Sequence, residues 1–83
     1  MRLHFMHRQT GEHEIYFVIN DSETAGPVEC VFRDTGKGVP ARWDPAKGEI
    51  GVLADNARRR ADGSVTAAFF MEPFDACFIV FER

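Results

Sequence analysis

Arg42-Trp43-Asp44-Pro45-Ala46-Lys47-Gly48-Glu49-Ile50 leads the only tryptophan of the chain straight into a turn and out again. Asp-Pro fixes φ where the turn begins, Gly48 can take the positive φ that ends it, and Ile50 reopens an extended run. Residues 49–54 then pair back on residues 40–44, a short edge-type strand consistent with its proline. That hairpin sets the reading frame for the rest of the chain.

Working outward, short extended runs recur between polar turns, and helical periodicity is almost absent. Residues 3–8 and 13–20 read as two strands joined at Gln9-Thr10-Gly11-Glu12. In the second, Ile15, Phe17 and Ile19 share one face and Tyr16 and Val18 the other. Residues 28–34 form a third, with Val28, Cys30 and Phe32 inward and Glu29 and Arg33 outward. Residues 64–71 and 74–82 complete the set, and polar connections occupy 20–27, 35–38 and 56–63. In the last strand Phe74, Ala76, Phe78 and Val80 alternate with Cys77, Ile79 and Phe81. Apolar residues on both faces predict a central strand, covered on both sides or presenting an apolar face to another domain. About seven strands predict an all-β fold, a small antiparallel β-sandwich forming a single domain over residues 1–83.

Composition narrows the function classes. Eighty-three residues, 45% hydrophobic with eight Phe, suffice for one modest core. A net charge of -3 argues against nucleic acid, which needs a clustered basic excess. The one basic run, Arg58-Arg59-Arg60, reads as a solvated turn between Asp55 and Asp62. No apolar run approaches the ~20 residues of a membrane helix. Cys30 and Cys77 each sit in apolar strand-like runs and read as buried free thiols, with one bridge between neighbouring strands the alternative.

No cofactor or metal is expected. His4 and His7 lie an odd number of residues apart on one strand and so point to opposite faces, which leaves zinc ligation by His4, His7 and His13 without geometry. Asp21, Glu23, Asp55 and Asp62 lack the alternating spacing of a calcium loop. Gly36-Lys37-Gly38 lacks the Ser or Thr and the following helix of a phosphate loop. A glycosidase needs two carboxylates facing each other across a sugar pocket, whereas Glu14, Glu29, Glu49 and Glu72 fall on separate short strands. No catalytic residue is therefore assigned.

Three segments together carry a resemblance: His7-Arg8 with Glu14-Ile15-Tyr16-Phe17-Val18-Ile19-Asn20, the Trp43 turn, and Glu72-Pro73-Phe74-Asp75-Ala76-Cys77-Phe78-Ile79-Val80-Phe81. In that order they resemble a region downstream of the catalytic barrel in large bacterial glycoside hydrolases of the α-L-rhamnosidase type, family 106. The resemblance runs over roughly residues 3–82. It implies a non-catalytic accessory domain that packs against the catalytic barrel of a longer parent chain, itself secreted or periplasmic. None of the family's catalytic carboxylates matches a position here.

On this reading His7 and Arg8 are candidates for contact with the barrel. Ile79 and Phe81, flanked by Cys77 and Phe70, are candidates for an apolar face that meets the parent, or through which the chain self-associates. The alternative is an autonomous carbohydrate-binding module using Trp43 and Tyr16. A sugar binder should present two or three coplanar exposed aromatics on one face; Trp43 alone, or buried, favours the accessory role.

Overall fold

The computed structural model describes residues 1–33, 35–36, 38–53 and 56–82. Among them are eight strands: β1 (Leu3–Gln9), β2 (His13–Asn20), β3 (Gly26–Phe32), β4 (Ala41–Asp44), β5 (Glu49–Val52), β6 (Ala57–Arg59), β7 (Val65–Met71) and β8 (Ala76–Glu82). They form two antiparallel sheets, one of five strands ordered β1-β2-β8-β4-β5 and one of three ordered β3-β7-β6. The all-β sandwich expected from the alternation is the fold.

The quoted hairpin forms as its turn residues dictate. Asp44 Oδ1 accepts hydrogen bonds from the amides of Ala46 (3.1 Å) and Lys47 (3.2 Å), and Gly48 takes φ 66°. β8 is central, between β2 and β4, as its two apolar faces required. Two details differ from expectation. Phe74 does not start the last strand; it sits in the preceding turn at φ 55°, exposed, its amide bound to the Ser22 carbonyl at 3.1 Å. The arginine run is no simple turn, because Arg58 and Arg59 belong to β6 and pair with Thr66 and Val65. The sequence ends of two expected strands, Asp34 and Ala54, lie outside the described residues, as do Lys37 and Asp55.

The core lies between the sheets. Val28, Cys30 and Phe32 of β3 and Val65, Ala67, Phe69 and Met71 of β7 face Tyr16, Val18, Cys77, Ile79 and Phe81 of the larger sheet. The Tyr16, Phe32 and Phe81 rings meet at tilted or edge-on angles, with centroids 4.7–6.1 Å apart. Both cysteines are free and buried, and loss of water around the thiols pushes each pKa up to about 11.

Buried polar groups hold the ends. Asn20 donates to the carbonyls of Thr24 (2.8 Å) and Glu72 (2.9 Å) and accepts from Ser22 Oγ at 2.6 Å, fastening two loops. Arg42 ties the sheets together, donating from β4 to the Phe70 carbonyl of β7 at 2.7 Å and to Asp75 at 3.3 Å, with its guanidinium 5.2 Å from the Phe69 ring centroid.

Candidate interdomain surface

Strand register decides what each face of the five-stranded sheet carries. Met6, Phe17, Phe78, Trp43 and Ile50 are successive partners across all five strands, and the next row is Arg8, Ile15, Val80, Ala41 and Val52. A partial third row is His4, Ile19 and Ala76. These residues alternate with the core-facing set, so they lie on the outer face. Among the described residues no strand packs over it. Met6 is 62% exposed, Trp43 46%, Ile50 67% and Val52 70%. Phe17 and Phe78 stack with centroids 4.7 Å apart, and a shallow hollow of about 190 Å³ lies among His13, Ile15, Trp43, Phe78 and Val80. Rows two residues apart across five strands cover several hundred Å², at the upper limit of what water-facing monomer surfaces carry as one apolar patch.

The residues singled out from the sequence fall into two groups. Trp43 is exposed and lies within the outer face, and Arg8 lies at its margin opposite Ile15. The others, Phe70 apart, face inward. Ile79 and Phe81 are fully buried, as is Cys77, because they point at β3 and β7; they form core, and the outward apolar residues of β8 are Phe78, half-buried, and Val80, which its neighbours largely cover. Phe70 lies on the outer face of the other sheet, opposite Pro27. Tyr16 is also buried, its ring parallel to His7 at 4.2 Å and against Phe32 at 4.7 Å, which removes it from any sugar-stacking surface. His7 turns to its own domain: Nε2 lies 2.8 Å from Oε1 of Glu14, a buried carboxylate that also accepts from Gln9 at 3.0 Å. His4 and His7 take opposite faces, and among the described residues no group of His, Cys, Asp or Glu is arranged to hold a metal.

Exposed aromatics are dispersed. Trp43 lies on the outer face of the larger sheet, Phe5 on the overhanging inner side of β1, Phe70 on the back of the smaller sheet and Phe74 in a turn. A gathering of carboxylates lines a cleft of about 300 Å³ at one end of the sandwich, with Asp44, Glu49, Glu72 and Asp75 beside Arg42 and Lys47. Its two less exposed acids are committed to structure: Asp44 caps the hairpin turn, and Asp75 accepts from the amides of Glu72 and Ala76 and from Arg42. What sequence reasoning missed was the side of the sheet. The continuous row from Met6 to Ile50 emerges only once five strands are in register.

Residues 1–55 match the profile of the glycoside hydrolase 106 family, described as alpha-L-rhamnosidase. The whole fold is similar to part of the rhamnosidase from Novosphingobium sp. PP1Y, with a TM-score of 0.83, 32% identity and 99% of this chain covered. The match spans 7% of that much longer chain. No curated protein matches. The chain belongs to the alpha-L-rhamnosidase family, glycoside hydrolase 106, and corresponds to a small β-sandwich portion of such proteins.

Proposed function

We propose that this sandwich is a non-catalytic accessory domain of a longer rhamnosidase-type glycoside hydrolase acting on rhamnose-containing polysaccharide, seated against the catalytic barrel through the outer face of its five-stranded sheet. The observation that carries the reading is the unbroken row Met6, Phe17, Phe78, Trp43 and Ile50, apolar across every strand, exposed at Met6, Trp43 and Ile50 and half-buried at Phe17 and Phe78. Water-facing monomer surfaces rarely leave such a face uncovered. The 7% coverage of the related chain supplies a source for the cover within the same polypeptide. Hydrolysis needs an acid and a second carboxylate opposed across a sugar, and in the acidic cleft two of the four carboxylates, Asp44 and Asp75, are engaged in turn and strand-end hydrogen bonds.

Light scattering on the 83-residue chain, with aryl rhamnoside hydrolysis measured in parallel, tests the reading. The chain should self-associate, a variant carrying Ile50→Lys and Val52→Lys should be monomeric, and neither should turn over substrate. A clean monomer at high concentration contradicts the interface. Turnover abolished by a single Glu→Gln contradicts the non-catalytic role. A second reading is carbohydrate binding at the hollow beside exposed Trp43, although the other exposed aromatics, Phe5, Phe70 and Phe74, lie on different surfaces. Saturable quenching of Trp43 fluorescence by a rhamnose oligosaccharide would select that reading.

A further inference from the structure

The two sheets differ in width by two strands, and one surplus strand is β1. Phe5 and His7 pair with Val18 and Tyr16 and so point to the inner side of the sandwich, yet Phe5 is 51% exposed. Beside them β3 ends the smaller sheet, with β7 as its only neighbour among the described residues. Between the overhang and this edge runs an open groove of about 350 Å³ lined by Phe5, His7, Tyr16, Val31, Phe32 and Arg33.

The proline in β3 determines what the edge offers. Pro27 has no N–H, so its pairing with Phe70 cannot be the doubly hydrogen-bonded kind. Antiparallel pairs alternate, so Val28, Cys30 and Phe32 bond to β7, while the N–H and C=O of Glu29 and Val31 point away from it. The Phe70 carbonyl confirms the phase, since it points away from β3 and is met by Arg42 at 2.7 Å. Among the described residues, the outward groups of Glu29 and Val31 have no partner. An unpaired edge beside an apolar trough one strand wide is a template for an added strand.

We infer that β3 is the docking edge for an extended segment, which pairs with Glu29 and Val31 as a fourth strand of the smaller sheet and lays alternate apolar side chains on Phe5. A second copy fits poorly. Pairing two β3 edges antiparallel keeps both larger sheets on the same side, and Tyr16 already stacks on Phe32, so the β1 overhang of one copy meets β2 of the other. The occupant is therefore a single strand. Its origin in the same longer polypeptide rests on the proposed function; the edge pairing does not.

The probe is a capped seven-residue peptide alternating Val and Thr, titrated into the ¹⁵N-labelled 83-residue chain. The expected result is saturable shifts at Phe5, Glu29 and Val31, with exchange of the Glu29 and Val31 amides slowed roughly tenfold or more. The same peptide N-methylated on its β3-facing amides should do nothing. Val31→Pro, which leaves the bonds to β7 intact, should abolish the response. Absence of saturable shifts, or an equal response to the N-methylated peptide, overturns the inference. A response confined to Trp43 and Phe78 overturns it too, and reports the apolar face of the larger sheet instead.

Discussion

The outer faces of the two sheets are equivalent by geometry, each the back of the same sandwich, yet they are built from different side chains. On the three-stranded sheet the outward residues are Pro27, Glu29, Val31, Arg58, Thr66, Ala68 and Phe70, a mixture that water tolerates. On the five-stranded sheet they are Met6, Ile15, Phe17, Ile19, Trp43, Ile50, Val52, Phe78 and Val80, with charge only at the margins. Folding alone does not call for the second pattern, since the core between the sheets is complete without it. On the proposed reading, the difference leaves one back to solvent and gives the other to a partner.

The largest effect should come from crossing β8. Ile79→Lys, which places a charge in the core, should abolish folding, and Ile79→Ala should cost about 3–4 kcal/mol in chemical denaturation. Phe78→Ala, one residue away on the outer face, should cost roughly 1 kcal/mol in the chain alone. Equal losses at both positions would mean that the outer face is already packed.

The next effect falls on the shared interior and should not distinguish the sheets. The Cys30 and Cys77 thiols face each other's sheets, and burial raises each from 9.0 to about 11. The folded state therefore holds these protons longer than the unfolded state. The stability this confers is complete below about pH 9 and is lost as the pH rises through about 11, on the order of 2–3 kcal/mol per thiol. Denaturation midpoints measured from pH 8 to 11 should fall, and Cys30→Ala with Cys77→Ala should flatten the profile. A flat wild-type profile would show that the thiols are solvated.

Arg42→Met should have a smaller effect, about 1–2 kcal/mol. It removes the donor to the Phe70 carbonyl while the aliphatic part keeps its contact with Phe69. Smaller still is Ile50→Lys with Val52→Lys, expected to change stability by less than about 0.5 kcal/mol although it disperses self-association. A matched Phe70→Lys on the other back should leave association unchanged.

Strand existence was legible because alternation and turn chemistry agreed: β2 has the limits expected of residues 13–20, and the Asp44–Gly48 turn forms as its residues demand. Which side faces in was not legible, and β2 shows why. Its buried set is Glu14, Tyr16, Val18 and Asn20, while the uniformly apolar Ile15, Phe17 and Ile19 face outward and are only partly covered. Polarity alone would have chosen the opposite face. The inward carboxylate and amide are tolerated because His7, Gln9, Ser22 and two loop carbonyls satisfy them, partners that alternation cannot show. β8 carried the same ambiguity, which is why Ile79 and Phe81 were candidates for a surface they do not reach. β6 escaped notice for another reason. Ala57-Arg58-Arg59 has no apolar period and is held by pairing with β7 and by Arg59 donating to Thr35, Gly38 and Gly63.

One measurement tests the division of the two backs most directly. Hydroxyl-radical footprinting with mass spectrometry can compare the 83-residue chain, held dilute enough to remain monomeric, with a longer rhamnosidase polypeptide containing it. Met6 and Trp43 should oxidise readily in the isolated chain and at least several-fold more slowly in the longer one, while Phe70 reacts alike in both. Equal oxidation of Met6 and Trp43 in the two, or protection of Phe70 in their place, would contradict the assignment of the five-stranded face to a partner.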